Sequence, residues 1–173
     1  GYVLLGSTWL VIKSEGDLLA WSRQVGVVAA GVVLVMMAIV SFWVPALDAA
    51  AADQWGLRYP DVDWSKLAPL MPIPILVVVA FVQLVRGLKS GATYAPHVWG
   101  IVLFLLGFIG LLVGIYPYLV PYDLTFTEAA AAPNAQGLLL VGAVIMLPII
   151  LAYTGYVYWV FRGKVAADAG YHH

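Results

Sequence analysis

The sequence predicts an all-α protein: a polytopic transmembrane helix bundle with four full spans, the second half of a preceding span and a cytoplasmic C-terminus. Two observations predict this fold class. Hydrophobic residues make up 64% of the 173 residues and charged residues only 10%, whereas a soluble domain is about 25% charged. The charges also lie between long uncharged runs, and a backbone in a bilayer must satisfy its own hydrogen bonds by forming a helix.

The same composition excludes several classes of protein. The net charge is -1, and the sequence has no basic patch of the kind that binds nucleic-acid phosphates, so a nucleic-acid partner is not expected. The chain has no cysteine, which excludes a disulfide scaffold, iron–sulfur ligation by this chain and a thiol catalyst. Soluble catalytic motifs such as a phosphate-binding loop are absent as well.

The uncharged runs place the helices, because about 20 apolar residues are needed to cross a bilayer. Four runs meet this length, and the predicted spans are about 25–44, 71–87, 98–116 and 137–161. The first run, 1–12, is too short, and we interpret it as the second half of a span in a chain that is a fragment or the C-terminal part of a larger protein. Residues 1–24 are then the end of that span with its loop, and 25–173 are the bundle.

The charges between the spans predict the orientation. One set of loops carries six basic residues: Lys13, Arg23, Arg86, Lys89, Arg162 and Lys164. The other set comprises the periplasmic loops 45–70 and 117–136. Its basic residues are only Arg58 and Lys66. The positive-inside rule therefore places the first set and the C-terminus in the cytoplasm.

Shorter patterns indicate local structure. Thr125 and Glu128 have the spacing of a capping box, which predicts a small surface helix ending at Pro133. Gly107, Gly110 and Gly114 share one helix face and predict close approach of another helix. Pro148 predicts a kink in the last span.

Few residues are candidates for ligand binding. None of the three histidines lies in the apolar middle of a span, so His97 is interpreted mainly as an interfacial cap or headgroup contact rather than a heme ligand. The methionines inside the spans are interpreted as packing residues: Met36, Met37 and Met146. Gln83 fits a hydrogen bond to a neighbouring helix, with a quinone carbonyl as the alternative. No catalytic, cofactor-binding or metal-binding residue is therefore predicted.

Two stretches resemble a known family. Residues 6–18, GSTWLVIKSEGDL, resemble the G-A-T-W-L-x-x-K-T-E-G-x-L segment of subunit II of cytochrome bd-type quinol oxidases, with Ser7 and Ser14 as departures. The second stretch joins residues 107–111, 116–121, 124–125, 147–154 and 158–165. It too resembles subunit II, including its cyanide-insensitive oxidase branch, and together the motifs cover about a third of the chain.

The resemblance implies the C-terminal half of a subunit with about nine spans, located in the bacterial cytoplasmic membrane. The family enzyme oxidises quinol and reduces dioxygen to water, and its b and d hemes belong to subunit I. This chain would then be a non-heme scaffold. Its expected partners are the heme-bearing subunit I, the N-terminal half of subunit II, small accessory subunits and membrane lipids, with a quinone or lipid as the remaining candidate ligand.

Matched positions are expected to be structural. They are Trp9, Lys13, Glu15, Gly16, Gly107, Gly110, Pro117, Pro121, Pro148, Trp159, Arg162, Gly163 and Lys164. For Lys13, Glu15, Arg162 and Lys164, one hypothesis is pairing with each other or with subunit I. The alternative is that they only set topology and interact with water.

Two other functions stay open at this point. The proline-interrupted helices also fit half of a membrane transporter, and Gln83 fits a quinone- or lipid-binding membrane module. A transporter predicts solute flux without hemes, whereas a binding module predicts bound quinone without oxygen consumption.

Overall fold

A computed structural model describes residues 1–47, 49–57, 60, 62–120 and 123–163. It confirms the predicted fold class, because 77% of the described residues are helical and these residues form no closed sheet. Among the described residues, four helices are long and apolar enough to cross a membrane. The elements in chain order are α1 (Tyr2–Lys13), α2 (Gly16–Leu47), α3 (Ala49–Gln54), α4 (Trp64–Leu67), α5 (Pro72–Lys89), α6 (Ala95–Ile115), β1 (Tyr118–Val120), β2 (Leu124–Thr125) and α7 (Pro133–Val160).

The long helices differ in extent from the predicted spans, most of all at the start of α2. This helix begins at Gly16 rather than at residue 25, and it continues through Pro45. Charged residues stop an uncharged run, but they do not stop a helix that extends beyond the hydrocarbon. The starts of the other three long helices are marked by proline, since α5, α6 and α7 each carry one in the first turn. The missing N–H of proline costs no helical hydrogen bond at that position.

Residues Gly1–Tyr116 form one compact unit, and Pro117–Gly163 form a second. In the first unit α1 packs on α2, α2 on α5, α5 on α6, and α6 on α1, so these four helices form a ring. Its core is aliphatic, with Leu84 and Leu103 fully buried and Val11 1% exposed. Without a hydrophobic force between helices in lipid, this close packing is what holds such a bundle together.

One end of this ring collects positive charge. There α1 ends, α2 begins, α5 ends and α6 begins. We call it the basic end, because it carries Lys13, Arg23, Arg86 and Lys89. The predicted orientation would place it in the cytoplasm.

The second unit contains a small hairpin followed by α7. Strands β1 and β2 are antiparallel, with Tyr118 opposite Thr125. The Phe126 N–H also donates to the Pro117 carbonyl at 3.1 Å. The helix α7 continues through Pro148, and none of its residues is buried.

The predicted surface helix after Thr125 is wrong, although its hydrogen bonds form. The Thr125 N–H donates to the Glu128 carboxylate at 3.0 Å, and the Glu128 N–H donates to the Thr125 hydroxyl at 3.3 Å. The chain nevertheless makes only turns between β2 and α7. Ala132, which precedes Pro133, has ψ 143, as expected for a residue before proline, and so short an alanine run is not a stable helix.

This turn predicts a pH dependence. The hydrogen bonds from the Thr125 hydroxyl and backbone N–H hold the pKa of the Glu128 carboxyl below its ordinary value. Because the folded-state pKa is the lower one, the contribution of Glu128 is complete above the unfolded-state pKa and is lost as pH falls through the folded-state pKa. We expect a titration of 13C-labelled glutamate carboxyls to show this lowered pKa.

The chain suits that measurement, because Glu15 and Glu128 are its two glutamates and Glu15→Gln assigns the signals. Thr125→Val removes the hydroxyl donor and should raise the Glu128 pKa. An unchanged pKa in this variant would contradict the assignment of its cause.

Candidate functional site

A tight turn at the basic end joins α1 to α2. Ser14 is 5% exposed, and both its N–H and its hydroxyl donate to the Leu10 carbonyl, at 2.8 and 2.6 Å. Gly16 follows with φ +61, a left-handed conformation that glycine adopts without a steric penalty. Asp17 lies in the first turn of α2, where a carboxylate is favoured by the helix dipole.

Trp9 lies between a lysine and a histidine beside this turn. The Lys13 ammonium is 5.1 Å from the centre of the indole ring, close enough for a cation–π interaction. The His97 ring lies 5.3 Å from the same indole at an interplanar angle of 55°. Trp9 therefore joins the last turn of α1 to the first turn of α6.

His97 also makes a hydrogen bond that settles its role in this cluster. Its Nδ1 lies 3.0 Å from the Thr8 hydroxyl oxygen, and the Thr8 side chain is fully buried. That oxygen also lies 2.9 Å from the Leu4 carbonyl, which can only accept. The Thr8 hydroxyl therefore donates its proton to the Leu4 carbonyl. We assign the ring proton of His97 to Nδ1, which donates to the Thr8 hydroxyl oxygen.

For His97 the interpretation as an interfacial cap or headgroup contact stays a prediction, to which the structure adds contacts between this residue and α1. It lies at the first turn of α6, near the expected interface, but its Nδ1 and one side of its ring contact α1. Sequence reasoning missed Thr8 as its partner, although Thr8 lies within the matched segment 6–18.

Removing the Thr8 hydroxyl should destabilise this cluster. Thr8→Val keeps the shape of the side chain but leaves the half-buried His97 Nδ1 without its partner, at an expected cost of about 1–3 kcal/mol. Thermal unfolding of the purified protein, followed by tryptophan fluorescence, measures the effect. Thr8→Ser retains the hydroxyl and is the control, and equal melting temperatures for the two variants would contradict the assigned hydrogen bond.

Arg23 joins the start of α2 to the end of α5. Its Nη1 donates to the Leu88 carbonyl at 2.8 Å. Its Nη2 donates to the Gly91 and Ala92 carbonyls at 2.9 and 3.1 Å. The last carbonyls of a helix have no partner within it and carry the negative end of its dipole, so Arg23 caps α5 from a neighbouring helix.

The end of α5 is shaped to receive that arginine. Gly91 has φ +85, and the Ala92 N–H donates to the Gly87 carbonyl at 3.1 Å, which is a Schellman motif. This motif turns the carbonyls of the α5–α6 connection toward α2. Sequence reasoning used Arg23 only as an indicator of topology and missed this contact.

Glycines allow the helices to approach closely at this end. A Cβ added at Gly87 would lie 3.2 Å from Cγ of Pro96, and one added at Gly26 would lie 3.1 Å from Cδ1 of Leu88. Both distances are shorter than ordinary van der Waals contact. The glycines of α5 and α2 therefore set the spacing from which Arg23 reaches its acceptors.

The predicted glycine face of α6 contacts three different elements. An added Cβ would lie 3.2 Å from Met37 at Gly107, 3.7 Å from Ile73 at Gly110 and 3.0 Å from Trp55 at Gly114. The glycine face of α6 therefore packs against α2, α5 and the residue after α3. The sequence predicts close approach of one other helix at this face, and the structure has three elements there.

The remaining matched residues belong to the second unit or lie outside the described residues. Pro117 precedes β1, and Pro148 lies inside α7. The Arg162 guanidinium is 4.9 Å from the Trp159 ring, and Gly163 follows it. Pro121 and Lys164 lie outside the described residues, and the pairing of Lys13, Glu15, Arg162 and Lys164 stays a hypothesis.

Potential metal ligands are not clustered in the described residues. Within the part of the chain that the structure describes, no group of three or more His, Cys, Asp or Glu side chains is placed to bind a metal. Met37, the methionine packed against the core, has its sulfur 3.9 Å from the Cβ position of Gly107. Met37 therefore packs against α6, as its interpretation as a packing residue predicts.

The comparisons identify a family for almost the whole chain. The family model described as cytochrome bd terminal oxidase subunit II matches residues 1–161 of the 173. No curated protein matches the chain.

Proposed function

The chain belongs to the cytochrome bd terminal oxidase subunit II family, and from this membership we propose that it is the non-heme scaffold of a bd-type oxidase. In this proposal it supports the heme-bearing subunit I, which oxidises quinol and reduces dioxygen to water. The chain supplies helix surfaces and helix-end contacts, and the redox chemistry takes place on its partner.

The observation that carries the proposal is how the bundle interior is filled. Its core includes aliphatic side chains such as Leu84 and Leu103, and Leu84 lies 3.6 Å from the Cβ position of Gly100 on the neighbouring helix. His97, the described histidine, lies at a helix end with Nδ1 on Thr8. A chain with this interior can position another subunit through its helix surfaces.

The exposed surfaces support a role inside a larger membrane complex. Many large apolar side chains of α2, α5 and α6 are exposed, as expected for helices that face lipid or other subunits. We assign these faces to lipid, subunit I and the N-terminal half of subunit II. We place the protein in the bacterial cytoplasmic membrane with its basic end inside, following the positive-inside rule.

Purification of the native complex through a tag on this chain tests the proposal. We expect a heme-bearing partner in the mass spectrum of its chains, visible absorbance of b and d hemes, and oxygen consumption with quinol. A transporter would instead give solute flux in liposomes without hemes, and a binding module would retain quinone without oxygen consumption. A chain that purifies alone, without a heme-bearing partner, would refute the scaffold role.

A further prediction concerns Glu15, beside the turn into α2. If Glu15 pairs with basic residues here or on subunit I, Glu15→Lys should weaken assembly and lower the heme content per purified chain by more than about twofold, since a reversed ion pair is repulsive. Asp123→Lys, an equal charge reversal in the second unit, is the control. Unchanged assembly and heme content in Glu15→Lys would leave topology as the role of this residue.

A further inference from the structure

An open groove lies between α2 and α5 at the basic end. It has a volume of about 400 Å³ and is lined by Arg23, Gln24, Val27, Leu88 and Lys89. Its apolar residues lie on the bundle side, because Leu88 is 3% exposed and Val27 packs against the core. Its polar residues lie where α5 ends. The groove thus presents apolar surface beside hydrogen-bond donors.

The hydrogen-bond donors beside the groove are not all used within the chain. A guanidinium has five N–H groups, and Arg23 uses three of them on the carbonyls of Leu88, Gly91 and Ala92. Its Nε–H and one Nη1–H remain. These carbonyls hold the guanidinium in one orientation, so its remaining donors are fixed in place before any ligand arrives.

Positive charge beside the groove is not neutralised by the residues that line it. None of the five is acidic, while Arg23 and Lys89 are basic. The Lys89 side chain is exposed, and its ammonium is a mobile point charge. Because the α5 carbonyls offset part of the Arg23 charge, Lys89 should contribute most to attracting an anion.

The position of the groove selects the kind of anion. It lies at the end of α5, a helix of 18 residues that ends at Lys89 and is about 27 Å long, close to the hydrocarbon thickness of about 30 Å. The donors are therefore at the boundary between hydrocarbon and water, and the apolar lining continues into the membrane. A ligand that fits both parts has an anionic head and a hydrocarbon chain.

We propose that this groove binds one anionic phospholipid. The phosphodiester accepts hydrogen bonds from Lys89, from the remaining donors of Arg23 and from the Gln24 amide, and an acyl chain lies along Val27 and Leu88. A zwitterionic lipid carries its own ammonium group and gains less from the two basic residues. Basic pockets between spanning helices bind anionic headgroups in this way.

Titration of the complete, delipidated oxidase complex with phosphatidylglycerol or phosphatidylcholine tests the proposal. Native mass spectrometry counts the bound lipids. We expect saturable binding of phosphatidylglycerol at low concentration and weaker binding of phosphatidylcholine. Lys89→Gln should weaken this binding about fivefold, the effect of one basic residue near a membrane surface.

Arg86→Gln is the matched control, since it removes the same charge from the last turn of the same helix without lining the groove. Equal weakening by both variants, or none by Lys89→Gln, would overturn the proposal. A photoactivatable phosphatidylglycerol should also label the peptides that contain Val27 and Leu88. Labelling elsewhere only would overturn it too, and the heme spectrum of the same sample reports separately on the oxidase.

Discussion

Replacing Arg23 with glutamine is expected to give the largest loss of stability of the substitutions considered. It removes the charged fork that donates to the Leu88, Gly91 and Ala92 carbonyls. A hydrogen bond from a charged donor contributes more to the free energy of unfolding than one between neutral groups. The carbonyls that lose Arg23 lie at the end of α5, where the helix itself supplies no donor. Since Arg23 is partly exposed and water partly replaces the lost bonds, we expect a cost of about 2–4 kcal/mol.

Thermal unfolding of the purified complex, followed by tryptophan fluorescence, measures this loss, and hydrogen exchange locates it. Exchange should increase at the end of α5 and in residues 90–94. Arg23→Lys keeps the charge but cannot reach three diverging carbonyls, so it should restore only part of the stability. Arg86→Gln controls for the loss of charge, and if it destabilised as much as Arg23→Gln, the capping role of Arg23 would be wrong.

The second large effect is expected from Gly87→Val. A Cβ at this position would lie 3.2 Å from Cγ, 3.3 Å from Cδ and 3.4 Å from the backbone nitrogen of Pro96. The proline ring cannot rotate away, so α5 and α6 must separate. Overpacking of this kind costs about 1–3 kcal/mol, and displacement of α5 should also lengthen the Arg23 hydrogen bonds.

Gly31→Val is the matched control, because Gly31 lies in α2 with no atom within 4 Å of the added Cβ. Both variants introduce the same β-branched side chain into an apolar helix. We expect a lower melting temperature for Gly87→Val than for Gly31→Val. Equal melting temperatures would mean that the α5–α6 contact adjusts without cost.

The fold class could be predicted because the bilayer restricts the chain to helices, and uncharged runs report where the bilayer lies. The same signal does not give the start of α2, which begins nine residues before the predicted span. Asp17 and Arg23 end the uncharged run, but the backbone stays helical around them, since Gly16 begins the helix and Arg23 has carbonyl acceptors on α5. Charge patterns thus do not mark where a helix begins or ends.

The contacts at the basic end could be predicted only in part. The matched segment 6–18 identifies Trp9 and Lys13, and glycine spacing indicates the packing face of α6. The Thr8–His97 hydrogen bond joins residues 89 positions apart, which no local pattern reveals. At Thr125 and Glu128 the hydrogen bonds follow the motif while the helix does not, because a capping box fixes one turn and the residues after it decide the rest.

The short connection between α5 and α6 has a consequence for how the protein is made. Only residues 90–94 separate the two helices, so translation delivers them to the insertion machinery almost together, as a hairpin. Arg23 is synthesised about 65 residues before the carbonyls that it binds. We therefore expect Arg23 to be in place before the hairpin reaches it. An inverted hairpin would place its loop on the opposite face of the membrane, away from this arginine.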